Sequence, residues 1–259
     1  MEFLLSLAGF VVGLLIGMTG VGGGALMTPI LVFGFSIPPV IAVGTDLLFA
    51  SITKSVGVIG HRKKGSVNWR VVGWMAVGSL PSALAAIWLL HRFSSSPEFI
   101  EQLVTQSLGV ALLLTSLMIF LKGRLQKWGQ RMAPAGGVTE RQVTIMTVLF
   151  GGLVGALVAL TSVGAGAVGV AVLFFLYPAF SSLRIVGTDL AHAVLLTGVA
   201  GLGHLQMGSV DFSLLGYLLI GSIPGIWLGV GLSNRVPDDV LRYLLACLLM
   251  ATGLRFVLG

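Results

Sequence analysis

The sequence predicts an all-α integral membrane protein built from two inverted repeats of about five helical segments each, with broken or re-entrant helices at its glycine-rich stretches. Three observations predict this. Of 259 residues, 56% are hydrophobic and only 9% charged, whereas soluble domains carry about 25% charged residues. The apolar residues fall in long runs without period-two alternation, which argues for helices and against a β-barrel. The chain also repeats itself.

The apolar runs cover residues 3–19, 25–36, 40–60, 69–90, 99–121, 142–160, 167–178, 184–204, 212–232 and 238–258. Most reach the roughly 20 residues that a helix needs to cross a bilayer. Two of them, 25–36 and 167–178, rise only about 18 Å at 1.5 Å per residue, short of a core about 30 Å thick. Half-helices, or parts of re-entrant elements, are expected there. The first run lacks a basic segment and leads straight into the glycine break, so it reads as a membrane segment, not a removable signal peptide.

"VGTDL" at residues 43–47 returns at 186–190. At the same shift of 143 residues His61 meets His204, "GSV" at 65–67 meets "GSV" at 208–210, and "GSLP" at 78–81 meets "GSIP" at 221–224. With the shift changed by one, "TGVGGG" at 19–24 meets "TSVGAG" at 161–166. Shared leucine and glycine bias would not produce ordered blocks containing Asp, His and Pro. Residues 1–121 are therefore read as an N-terminal transmembrane repeat, 122–141 as a cytoplasmic linker and 142–259 as a C-terminal transmembrane repeat.

Charge sets the expected orientation. The net charge is +6, and the basic residues gather in short loops, a mark of topology, not of nucleic-acid binding. Loops 61–64 and 122–131 are the most basic and should face the cytoplasm. The partner of "HRKKG" in the second half is "HLQMG", with every Lys and Arg gone, as expected if the second half is inverted. Each half then crosses an odd number of times, and both termini are expected on the periplasmic side of a prokaryotic inner membrane. Trp69, Trp74, Trp88, Trp128 and Trp227 mostly fall near span ends, as interfacial anchors do.

Inverted repeats with interrupted helices are a common plan of secondary transporters. Each glycine stretch precedes an under-length run, so it places a half-helix N-terminus where unpaired amides favour an anion. Thr19, Gly20, Gly22, Gly23 and Gly24, with Thr161, Ser162, Gly164 and Gly166, are the candidate substrate-binding residues. The competing role is close helix packing through small residues.

Ionisable residues within spans mark function by default. Asp46 and Asp189, the paired acids of "VGTDL", are candidates for proton coupling; the alternative is that helices begin at Thr45 and Thr188 and the acids complement a first turn. His192 stands one turn after Asp189 and is a candidate relay partner or a packing histidine. Lys54, on nearly the same face as Asp46, could pair with the substrate anion or extend its stem to water. His61 and His204 fit C-terminal capping. Cys247, the single cysteine, excludes an intrachain disulfide and reads as a small buried residue. The histidines show no metal-ligand spacing, no phosphate-binding loop or hydrolase motif is present, and neither a metal nor a cofactor is expected. The chain is read as a non-enzyme.

"GMTGVGGGALMTPIL" at residues 17–31 resembles the sulfite exporter TauE/SafE family, also called TSUP. The paired "GTD" segments, the H-x(3)-G-x-V loops and the "GSxP" helices resemble that family's two halves. The resemblance implies a multi-pass transporter of the prokaryotic inner membrane. It implies a small sulfur-containing anion as substrate: sulfite, thiosulfate, or a sulfonate such as sulfoacetate. It places binding at residues 19–24 and 161–166, where the second half has departed to "TSVGAG". An anion channel with the same lining and a membrane assembly factor that moves nothing are the alternatives. Saturation and counterflow separate the first from a carrier, and the absence of any flux identifies the second.

Overall fold

The computed structural model describes residues 2–19, 24–63, 65–93, 96–132, 139–232 and 238–258. Among them there is no strand. The helices are α1 (Glu2–Thr19), α2 (Gly24–Pro29), α3 (Pro39–Lys63), α4 (Trp69–Arg92), α5 (Pro97–Met132), α6 (Glu140–Thr161), α7 (Ala167–Leu176), α8 (Ser182–Gln206), α9 (Phe212–Leu232) and α10 (Asp238–Leu258). After α2 the chain continues as a π-helical turn, Ile30–Gly34, directly following Pro29. A proline has no amide hydrogen, and a wider turn absorbs the missing bond.

Among the described residues six helical segments are long and apolar enough to cross a membrane: Pro39–Ile59, Trp69–Arg92, Pro97–Trp128, Glu140–Thr161, Ser182–Gln206 and Phe212–Gly229. Their outward faces carry exposed Ile59, Val77, Leu149 and Ile220, which suits a lipid surround and not water. Trp69, Trp88, Trp128 and Trp227 are likewise exposed.

α7 has 10 residues and rises about 15 Å, half of a bilayer core. The expected linker begins later than the sequence suggests. α5 has 36 residues and continues to Met132, because "KGRLQKWGQRM" is rich in good helix formers and has no proline. At 1.5 Å per residue it extends about 54 Å, well beyond a membrane core. α6 then starts on a capping box, with Thr139 and Gln142 each bonding the other's backbone.

Packing pairs helices from different halves. α1 runs parallel to α9, with Ser6, Phe10 and Leu14 against Gly221, Gly225 and Gly229. α4 runs parallel to α6, with Met75 and Ser79 against Gly151 and Gly155. α3 and α8 are antiparallel: Gly44 meets Ser209, Ser51 Oγ donates to Val194 O at 3.2 Å, and Gly57 meets Leu190. α5 and α10 are also antiparallel, through Gly109 with Gly253 and Ser116 Oγ donating to Ala246 O at 2.8 Å. Cys247 is the neighbour of that contact residue and is exposed, contrary to the buried position expected. Ala246, Leu249 and Phe256 form the buried stripe of α10, and one step round the helix turns Cys247 outward.

The "GTD" motif has a structural explanation for two of its three letters. Thr188 Oγ1 accepts the amide of Asn68, the N-cap of α4, at 2.9 Å. Thr45 Oγ1 accepts the amide of Asp211, just before α9, at 3.0 Å. Each threonine thus anchors the start of a helix in the opposite half. The glycines make room: a methyl group on Gly44 would collide with Ser209 O, and one on Gly187 would lie 2.8–3.0 Å from His61 Nδ1 and Ser66. Thr45→Val and Thr188→Val each delete one such bond and leave a helix-start amide unpaired. Each is expected to lower stability by about 1–3 kcal/mol, and the double variant to show nearly the sum. Thermal unfolding of the purified protein in detergent checks this; no loss in either variant would contradict the anchoring role.

Candidate functional site

Asp46 and Asp189 are not in first turns. α3 begins at Pro39 and α8 at Ser182, so each acid lies two turns into its helix. Capping is therefore replaced by burial: Asp46 is 0% and Asp189 3% exposed. Asp46 Oδ2 accepts the hydroxyl of Thr28, from α2, at 2.6 Å. Oδ1 of each aspartate is buried and has no hydrogen-bond partner.

Lys54 does not reach out to water. It is 1% exposed, and Nζ donates to the carbonyl of Ala165 at 2.7 Å. Ala165 belongs to the glycine-rich break between α6 and α7, 111 residues away in the chain. Lys54 also interacts electrostatically with both Asp189 and Asp46. The antiparallel packing of α3 on α8 brings these three charges together.

The break itself begins at Ser162, in the left-handed region at φ 58°, and continues through Gly164 and Gly166 at φ 105° and 142°. The glycines are required there because a side chain is strained at such angles. Thr161 closes the turn: its Oγ1 donates to Leu157 O at 2.6 Å and accepts from Val163 N at 3.1 Å. Ser162 is 2% exposed; its Oγ makes no close hydrogen bond but acts on the Asp46 carboxylate, which brings Asp46 to the break as well. α7 follows with Gly166 as N-cap and no side chain capping it; the Gly169 amide turns back to Gly164 O at 3.4 Å, which leaves those of Ala167 and Val168 at the open end. Asp189 rests on this first turn. A methyl group on Gly169 would collide with Asp189 Oδ1.

The structure thus unites Lys54, Asp189, Ser162, Gly164 and Gly166. Asp46 approaches the same charge cluster with Thr28. His192 is buried but takes another partner: Nε2 lies 2.7 Å from Ser79 Oγ of the "GSLP" segment. His204 stands in the last turn of α8, but its ring is buried and reaches another helix, with Nε2 2.8 Å from Ala159 O. His61 Nδ1 lies 2.9 Å from Ser66 Oγ within the turn after α3. In the first half, Gly20, Gly22 and Gly23 lie outside the described residues; Thr19 and Gly24 are the last residue of α1 and the first of α2.

Sequence reading missed Thr28, Ser79, Gly169 and the Ala165 carbonyl. Thr28 carried a signal, as the single hydroxyl in the apolar stretch "ALMTPILVF". Ser79 stood inside a repeated block. The other two act through backbone atoms or missing atoms, which composition does not expose.

Comparison with known proteins now adds to this geometry. The family described as "Sulfite exporter TauE/SafE" matches residues 5–256. The chain belongs to the sulfite exporter TauE/SafE family. It is 39% identical over 255 residues to the probable membrane transporter protein YjnA of Bacillus subtilis, covering 97% of this chain and 98% of that one. The probable membrane transporter protein YdhB of the same organism is 26% identical over 92% of this chain and 93% of its own. A probable membrane transporter protein of Methanocaldococcus jannaschii is 27% identical over 98% and 95%. No solved structure matches. The chain is a multi-pass membrane protein of a transporter family.

Proposed function

We propose that this TauE/SafE member is a secondary transporter that moves a small sulfur-containing anion across the prokaryotic inner membrane by alternating access. The observation that carries the reading is the buried Lys54 ammonium, held at 2.7 Å by the Ala165 carbonyl beside the uncapped start of α7. An ammonium and a helix N-terminus both attract negative charge. A sulfite or sulfonate group would take the place of that carbonyl on Lys54 and accept hydrogen bonds from the Ser162 hydroxyl and the first amides of α7. By the repeat, Thr19 and the glycines of residues 20–24 are assigned the equivalent role in the first half.

The two halves act as inverted repeats, 1–121 and 142–259, joined by a cytoplasmic connection. The antiparallel pairing of α3 with α8 and of α5 with α10 supports this, since each pair consists of equivalent helices of the two halves. Rocking one half against the other exposes the site to each side in turn. The basic stretches 61–64 and 122–131, at the ends of α3 and α5, then lie in the cytoplasm and both termini in the periplasm. Protons are the coupling ions, carried by Asp46 and Asp189 with His192 nearby.

The test is flux into liposomes. Sulfite, sulfate, thiosulfate, sulfoacetate and simple carboxylates are first screened by thermal shift, because a ligand of the native state raises stability by about 2.7 kcal/mol at a hundred times its Kd. The binding anions are then followed for saturable flux and counterflow. Non-saturating conduction would identify a channel, and no flux of any anion would end the proposal. For coupling, Asp46→Asn and Asp189→Asn are expected to lose acceleration by an inward proton gradient. A gradient that still drives uptake in both variants would remove the carboxylates from the coupling step.

A further inference from the structure

Among the described residues the buried carboxylates and ammonium are Asp46, Asp189 and Lys54, and the two acids are held differently. Asp46 is tied to α2 by the Thr28 hydroxyl at 2.6 Å. Asp189 Oδ1 has no hydrogen-bond partner and lies against the bare Cα of Gly169. Both acids act electrostatically on Lys54, and Asp189 meets α7 four residues after Ala165, the carbonyl partner of Lys54. It lies on the first turn of α7, next to the break where the proposed substrate anion would sit. A carboxylate of the protein itself therefore stands beside the place of an exogenous oxyanion, facing the same cation and the same helix end.

A buried ammonium without a counter-charge is strongly disfavoured. A carrier that holds one must neutralise it in every state that crosses the membrane's low-dielectric interior. With substrate bound, the substrate supplies the negative charge. After release something else must supply it, or the empty carrier cannot return.

We propose that Asp189 is the built-in counter-anion of the empty carrier: it neutralises Lys54 when the site is vacant and gives Lys54 up to the substrate anion when one binds. This rests on the transport reading above and adds a specific consequence. Asp189 is required for net transport, which needs the empty carrier to return, far more than for exchange of one anion for another, which does not. Gly169 is what allows the carboxylate its position, so the device has two parts that can be tested separately.

The experiment uses the full-length protein in liposomes with a mixture of radiosulfur-labelled sulfite, thiosulfate and sulfoacetate. Net efflux into anion-free buffer is compared with exchange against the same unlabelled mixture. Asp189→Asn is expected to raise the ratio of exchange to net flux by about tenfold or more, through loss of net flux. Asp189→Glu keeps the charge but adds a methylene against Gly169, so its ratio is expected to fall between wild type and Asp189→Asn. Gly169→Ala, which keeps the carboxylate but displaces it, is expected to raise the ratio as well, and it carries the test should Asp189→Asn fail to fold. An unchanged ratio in folded Asp189→Asn or Gly169→Ala overturns the inference, as does equal loss of both modes in a variant that still binds the mixture by thermal shift. Wild type that exchanges anions but shows no net flux also overturns it while leaving the transport reading intact. Wild type that moves none of the three anions overturns both.

Discussion

Lys54→Met is expected to abolish anion binding and transport while leaving a folded membrane protein. The variant removes the one ammonium in the buried cluster among the described residues. Methionine approximates the volume of the lysine stem and adapts to irregular gaps. Truncating one partner of a buried, hydrogen-bonded charge pair costs about 2–5 kcal/mol. At 1.4 kcal/mol per tenfold, the Kd for the anion should rise roughly 30- to 4,000-fold. Stability should fall as well, by about 1–3 kcal/mol, because the Ala165 carbonyl loses its donor. Lys54→Arg is not a neutral control: the planar fork is wider than an ammonium and cannot be expected to fit the same carbonyl. The measurement is the thermal shift produced by the tested anions, together with liposome flux. A Kd within twofold of wild type in Lys54→Met would sink the assignment. It would favour a lysine whose only task is to join α3 to the break before α7 through Ala165 O.

The fate of Lys54 shows where sequence reading stops. Its spacing of eight residues from Asp46 placed both on one face of a helix, and that much was legible. Whether the stem ran to the basic loop at residues 61–64 or into the protein depended on a carbonyl 111 residues further on. No local pattern encodes that choice. The acids were legible for the opposite reason. They stand in a block repeated at a fixed shift, and the block has a use in both halves: glycine for close approach, threonine for the cross-half bond, aspartate for the interior. The polar groups specific to one half were harder to place. Lys54 corresponds to Thr197 and His192 to Phe49 at the same shift, so repetition gave no second view of them. His192 looked towards Asp189 along its own helix, yet its ring meets Ser79 on α4. Cys247 was misplaced because the middle of α10, residues 243–254, carries no charge on any face, and only its contact with α5 decides which face is inside. The helical stretch of residues 122–132 was read as loop because it is charged, although charge sets only where a helix ends in the membrane, not where the helix itself ends.

Repetition also makes the largest stability effects come in pairs. Gly221→Leu and Gly78→Leu are expected to destabilise the protein severely and by similar amounts. These are the first letters of the two "GSxP" segments. A methyl group on Gly221 would collide with the carbonyl oxygen of Ser6 on α1, and one on Gly78 with that of Val148 on α6. The colliding partner is backbone in both cases, so no side-chain rotation relieves it and the helices themselves must separate. Membrane helices gain much of their association from close packing at small residues. Overpacking costs about 1–3 kcal/mol where side chains can shift, occasionally more, and a backbone clash belongs at or above the top of that range. Each substitution opens a contact between the halves, α1 with α9 or α4 with α6. The loss should therefore appear as aggregation on size exclusion and as a lower unfolding temperature, not as a change in flux alone. Gly216→Leu and Gly73→Leu supply the control on the same two helices. A Cβ at either position meets nothing within 4 Å, so a change within about 0.5 kcal/mol is expected. If all four variants melted alike, the close approach of these helices could not be what the glycines of "GSxP" provide.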